Sequence, residues 1–171
     1  MSGQKRDRAN FVVFPPALLL ATIALACLLQ WLVPLEVLTQ YDQTWRTVIG
    51  GGLLIIGLVL TQTGARALLW RGTNVNPLKP ALALATNGIY RWSRNPMYVG
   101  GGPLMLGLAV VFGIDWLPVL MVPSGLILHF GIVRREEQYL AGKFGDEYRR
   151  YCALVPRYVR GLAPGYHHQE S

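Results

Sequence analysis

Four stretches of this chain contain no Asp, Glu, Lys or Arg: residues 9–35, 47–65, 95–114 and 116–133. Each is close to or above the roughly 18 to 20 residues that cross a bilayer as a helix. The third and fourth are separated only by Asp115, with Gly113 before it and Pro118 after it, so they read as a tight helical hairpin. The pattern predicts an all-α polytopic membrane protein, a single domain over residues 1–171, with spans at about 12–33, 47–65, 96–114 and 116–133.

Polar punctuation agrees with these boundaries. Pro15 and Pro16 fall where a helix has no N–H partner to lose, and Pro34 ends the first span. Gly50, Gly51, Gly52 and Gly57 in the second span permit close helix packing in lipid. The middle loop, 71–94, has two prolines, two glycines and three asparagines, and is too long and too patterned for an idle connector. Its weakly apolar segment 81–85 reads as interfacial. After the fourth span, Tyr139, Leu140, Phe144 and Tyr148 recur at helical spacing between charges. They predict an amphipathic helix, continuous with the span, weakened by Gly142 and Gly145 and ended by Pro156.

Charge then sets orientation. Charged residues make up 15% of the chain against about 25% in soluble domains. The formal net charge is +7. Every Lys and Arg except Arg46 lies before the first span, between the second and third, or after the fourth. The positive-inside rule therefore predicts cytoplasmic termini and a cytoplasmic middle loop. The basic excess is topological and favours anionic headgroups; it does not predict nucleic-acid binding. The apolar run continues past Cys27, which argues against a cleaved leader. Cys27 and Cys152 fall in different compartments and predict no disulfide. His167 and His168 have no partner ligands in sequence, so no metal site is expected.

The segment "NGIYRWSRNPMYVGGG", residues 87–102, stands at the mouth of the third span. Pro96 suits a first helical turn, which Ser93 or Asn95 can cap. A helix start offers free N–H groups and a positive dipole end to an anion. Gly100, Gly101 and Gly102 open the backbone to a ligand. Tyr90, Trp92 and Tyr98 offer flat faces to a heterocycle or a cation. Just past the fourth span, Glu136 and Glu137 stand where basic residues dominate. An anion site and a carboxylate together suit a zwitterion carrying a base and a positive centre, the chemistry of S-adenosylmethionine. The plainer reading makes the aromatics membrane-belt residues, the glycines packing, and "RREE" a solvated helix start.

Thr86, Gly88, Tyr90, Arg94, Asn95, Pro96, Tyr98 and Gly100 carry a spaced motif. Glu136, Glu137, Phe144, Gly145, Tyr148, Tyr151, Val155 and Pro156 follow it about forty residues on. Together, over about 72–157, they resemble the integral membrane methyltransferases, the superfamily of isoprenylcysteine carboxyl and phospholipid methyltransferases, in a form closer to its bacterial members, which implies the bacterial inner membrane as the location. The resemblance implies a cytoplasmic pocket for S-adenosylmethionine, built from the loop before the third span and the C-terminal amphipathic helix. By it, Tyr90, Asn95, Pro96, Met97, Tyr98, Gly100, Gly101, Gly102, Glu136 and Glu137 bind the cofactor. Asn95 replaces the family's His; it keeps a donor and an acceptor but does not titrate near neutral pH.

Methyl transfer from a sulfonium needs alignment and exclusion of water more than it needs a base. No catalytic residue follows from the sequence; Arg134, Arg135 and His129 are the candidates, the arginines for an anionic acceptor and His129 for a proton. The expected reaction methylates a lipophilic or small amphiphilic acceptor, a carboxylate, amine or thiol, with membrane lipid as the surroundings. Neither the acceptor nor an oligomeric state follows from the sequence. The competing class is a non-enzymatic accessory membrane protein, which needs no affinity for S-adenosylmethionine.

Overall fold

A computed structural model of the chain describes residues 13–76 and 79–159. The His167–His168 pair lies outside the described residues. Among those described, every regular element is helical. Helix α1 spans Pro15–Leu32, α2 Gln43–Trp70, α3 Pro96–Phe112 and α4 Trp116–Leu128. A π turn at His129–Val133 carries α4 without a break into α5, Arg134–Leu154. Among the described residues, three helices are long and apolar enough to cross a membrane: Pro15–Leu32, Gln43–Trp70 and the continuous Trp116–Leu154, while α3 is a shorter apolar helix. Leu20, Leu28, Ile55, Val59, Val119, Val122 and Phe130 lie exposed along these helices, as lipid-facing side chains do.

Helix α2 is longer than its apolar run. Charge ends the run at both sides but does not end the helix. Asp42 caps the start by accepting from the Thr44 N–H at 2.8 Å. The end comes at Arg71, where Gly72 follows with φ of 67°. In between, α2 and α3 meet backbone to backbone. A Cβ on Gly57 would stand 2.6 Å from the Leu104 nitrogen and 2.7 Å from the Gly100 oxygen. One on Gly107 would stand 2.7 Å from the Gly50 oxygen, and one on Gly100 would stand 2.6 Å from Thr61 Oγ1. Gly50, Gly57 and Gly64 are all buried and recur every seventh residue, as do Gly100 and Gly107 on α3. Gly51 and Gly52 meet nothing within 4 Å, so only the first glycine of that triplet belongs to the contact.

The hairpin between α3 and α4 is closed by polar groups. Gly113 caps α3 in the left-handed region with φ of 68°, and the Ile114 N–H returns to the Ala109 carbonyl at 2.9 Å. Arg46, the basic residue apart from all the others, reaches across from α2. Its Nε and Nη2 donate to the Val110 and Val111 carbonyls, each at 3.0 Å. A cation thus satisfies the orphan carbonyls at the negative end of the α3 dipole. Buried Asp115 accepts from the Leu38 N–H at 2.8 Å, and its own N–H donates to Gln30 Oε1 at 3.0 Å. Nearby, Ala26 of α1 and Leu117 of α4 are fully buried in the core at this end.

The glycine contact yields a test. Gly57→Ala forces a methyl into backbone, and overpacking of this kind costs about 1–3 kcal/mol. Gly51→Ala meets no atom. Thermal unfolding in detergent should show a clear loss for Gly57→Ala and none for Gly51→Ala; equal midpoints would discount the close approach.

Candidate functional site

The opposite end of the bundle is organised by the start of α3. Pro96 occupies its first turn and is fully buried, and Asn95 stands at the N-cap. Neither Ser93 nor Asn95 caps the helix with its side chain. Ser93 Oγ instead accepts from the Asn95 N–H at 3.0 Å, and Asn95 Nδ2 donates to the Arg157 carbonyl at 3.1 Å. That carbonyl also accepts from Ser93 Oγ at 3.3 Å, and the Arg94 N–H donates to the Pro156 carbonyl at 3.0 Å. The expected cap is displaced because the segment after α5 supplies acceptors that buried polar groups need.

That segment reaches α3 through a bend in α5. Gly145 leaves helical geometry with φ of 54° and ψ of −125°, values that glycine adopts without strain. Past the bend, Tyr148 and Tyr151 are buried with Tyr90, Ala85 and Val155 in a compact core. The Tyr151 hydroxyl donates to the Tyr90 carbonyl at 2.6 Å. The middle loop is held too, since the Ala81 N–H donates to the Tyr139 hydroxyl at 3.1 Å.

Two consecutive carboxylates take different directions here, as residues about 100° apart on a helix must. Glu136 Oε2 accepts from the Tyr98 hydroxyl at 3.1 Å. Burial raises the Glu136 carboxyl to about 7; the Tyr98 bond opposes the rise, and the neighbouring Glu137 charge adds to it. Glu137 pairs with Arg94 at 3.2 Å and with Arg157 at 2.7 Å. Its side chain is 13% exposed and that of Arg94 is 12% exposed, so this pair is largely out of water, while Arg157 is 35% exposed. The Glu137 carboxylate in turn raises the Arg157 guanidinium further above its ordinary range.

A cavity of about 460 Å³ opens beside Glu136, within the range of small-molecule sites. Its lining includes Tyr90, Asn95, Tyr98, Gly101, Gly102 and Glu136. From α1, α3 and α4 come Leu18, Leu19, Met105 and Met121, with Thr22 and Ser124. The hydroxyls of those last two lie 2.7 Å apart. Pro96 and Met97 also line the cavity, but Gly100 does not. Gly100 is spent on the contact with α2, whereas a Cβ on Gly101 or Gly102 would meet nothing within 4 Å. Glu137, Arg134 and Arg157 line a second hollow instead. Neither Arg135 nor His129 borders the first cavity; His129 Nδ1 is hydrogen-bonded to the Tyr158 hydroxyl at 2.9 Å. The contribution of α1 has no motif in the sequence, and that of Arg157 is signalled only by its place after the "VP" pair.

Residues 45–147, from early α2 to the bend of α5, match the model of the phospholipid methyltransferase family. The chain belongs to that family. A Xenopus laevis protein-S-isoprenylcysteine O-methyltransferase is 29% identical over 127 residues, 70% of this chain and 43% of that protein. The nickel-cobalt-cadmium resistance protein NccN of Alcaligenes xylosoxydans xylosoxydans is 27% identical over 122 residues, 70% of this chain and 55% of that protein. A Schizosaccharomyces pombe protein-S-isoprenylcysteine O-methyltransferase is 36% identical over 74 residues, 43% of this chain and 31% of that protein. The chain thus spans about half, or less, of the length of these relatives. No solved structure matches it.

Within the family-matched region, the clasp at Glu137 is the contact most exposed to test. Glu137→Ala would leave Arg94 buried without its carboxylate, and breaking a buried pair costs about 3–5 kcal/mol. The variant should unfold at lower temperature, and the Arg94 amide, donated to Pro156, should exchange its hydrogen faster. Unchanged exchange there would remove the clasp as the tie between α5 and α3.

Proposed function

We propose that this chain is a membrane-embedded methyltransferase, moving a methyl group from S-adenosylmethionine to a lipophilic or small amphiphilic acceptor at the cytoplasmic membrane face. The observation that carries this is one cavity with two unlike sets of lining residues. Aromatic, amide, glycine-backbone and carboxylate groups share it with largely apolar residues of α1, α3 and α4. Family membership supports the reaction class. The names of the relatives, isoprenylcysteine O-methyltransferases, support a lipophilic acceptor. The proposal includes α3 as a fourth span, with both termini in the cytoplasm of a bacterial inner membrane.

The residues fit the cofactor. Gly101 and Gly102 leave room that any side chain would fill. Glu136 presents a carboxylate for an amino group, and Tyr90 and Tyr98 present rings beside it. When bound, S-adenosylmethionine supplies an activated methyl on a sulfonium. The chain's task is then alignment and the exclusion of water. Tyr98 orients Glu136 through its hydroxyl. Asn95 is fixed by the Arg157 carbonyl and serves as a contact, not as a base. Glu137 acts at one remove, holding Arg94 and Arg157 so that the start of α3 and the end of α5 stay together. The part of the cavity lined by α1 receives the acceptor.

Two experiments test this. A carboxylate raised to about 7 is protonated below that pH and binds an ammonium only above it. Affinity for S-adenosylmethionine should therefore rise with pH through about 7 and level off above. Glu136→Gln should lose the pH dependence and about ten- to a hundred-fold in affinity, the range of a charge-assisted hydrogen bond. Wild-type affinity in Glu136→Gln would reject its role.

Gly102→Val adds a branched side chain at a residue that lines the cavity, where its Cβ meets no protein atom within 4 Å. It should keep wild-type thermal stability and lose methyl transfer from labelled S-adenosylmethionine to membrane extracts, with products identified by mass spectrometry. Full transfer by this variant would place the reaction elsewhere.

A further inference from the structure

Four arginines, Arg94, Arg134, Arg149 and Arg157, are among the residues that line a second hollow of about 420 Å³ on the Glu137 side of α5. Glu137 is the only carboxylate among the residues that line it, and its oxygens are occupied by Arg94 and Arg157. Asp146 pairs with Arg149 at 3.2 Å, but those side chains are 75% and 85% exposed, a pairing that water screens heavily. Arg134 is exposed, with its guanidinium 5.7 Å from the centre of the Phe130 ring. In the floor, Arg94 Nε is buried without a hydrogen-bond partner. The hollow therefore gathers more positive charge than its own residues offset.

Its place in the molecule matters as much as its charge. Arg134 is the first charged residue after the apolar stretch 116–133, and exposed Phe130 lies one turn before it. The rim thus stands where apolar surface gives way to polar surface, the level of lipid headgroups. Basic residues that serve topology alone need only be on the right side of the membrane. They have no reason to face one concavity across a helix bend, where they repel one another. Arginines gathered around one hollow offer the donors that the tetrahedral oxygens of a phosphate accept.

We infer that this hollow is a phosphate oxyanion site, filled by the headgroup of an anionic phospholipid or by free phosphate. Arg134 and Arg149 are its mobile arms, and the Arg94–Glu137–Arg157 clasp is its fixed floor. The site is distinct from the cavity beside Glu136 and does not rest on the methyltransferase reading. An anion bound here adds negative charge next to the clasp that ties α5 to α3, so its occupancy bears on the stability of that tie.

The test is binding, read without any enzyme assay. The purified full chain, in neutral phosphatidylcholine nanodiscs, is titrated with short-chain phosphatidylglycerol and, separately, with inorganic phosphate. The double variant Arg134→Gln/Arg149→Gln changes two exposed side chains, so thermal unfolding should confirm that it folds. A control, Arg66→Gln/Arg71→Gln, removes the same charge from exposed residues at the end of α2, outside the hollow. Saturable binding should weaken roughly ten-fold or more in the first variant, the scale of one lost charge-assisted bond, and hold in the control. Binding of phosphatidylglycerol alone assigns the headgroup as the source; binding of inorganic phosphate assigns the free ion. Equal losses in both double variants, or no saturable binding of either probe, would overturn the site.

Discussion

Everything at the polar end of this protein hangs on the backbone contact between α2 and α3. Two helices that touch through glycines sit closer than side chains allow, and in lipid such packing is a main source of association. Gly57 against Gly100 and Leu104, and Gly50 against Gly107 and Val111, fix α3 both laterally and in rotation. Rotation is the consequential part. With Gly100 turned to α2, its neighbours Gly101 and Gly102 necessarily turn away, into the cavity. Arg46 holds the other end of α3 from the same helix, so α2 grips α3 along its length.

A second tie completes the site, and it is electrostatic where the first is steric. Glu137 gathers Arg94 from the segment before α3 and Arg157 from the segment after α5. Backbone bonds from Arg94 and Asn95 to Pro156 and Arg157 close the same gap. The bend at Gly145 makes this possible, because a straight α5 would carry residues 155–158 away from α3. Family motif positions far apart in sequence thus meet for a mechanical reason.

Much of this was legible in the residues themselves. Charge-free runs located the four apolar segments, and Gly113 with Asp115 located the hairpin. The continuous passage from the fourth segment into an amphipathic helix followed from the spacing of Tyr139, Leu140, Phe144 and Tyr148. Three features were not legible, each for a physical reason. The length of α2 was hidden because charge marks the limit of lipid contact, not of helical hydrogen bonding. The different fates of Gly100 and Gly101 were hidden because a glycine run does not reveal which helix face a partner covers. The fate of the Asn95 side chain was hidden because its partner, the Arg157 carbonyl, lies 62 residues away.

That last bond bears on why an asparagine can stand where the motif this chain resembles has histidine. The position must donate to a carbonyl from within a buried site, which an amide does at any pH. An imidazole donates equally well, but it gains a proton in acid. Asparagine keeps the donor and removes the titration. The group nearest the cavity that then titrates around neutral pH is Glu136, a carboxylate raised by burial and oriented by Tyr98. Proton sensitivity in this chain therefore belongs to the α5 side of the cavity, while the α3 side stays neutral and fixed. That division suits a site whose ligand brings its own positive charge: one wall must remain indifferent to pH while the other exchanges a proton for an ammonium.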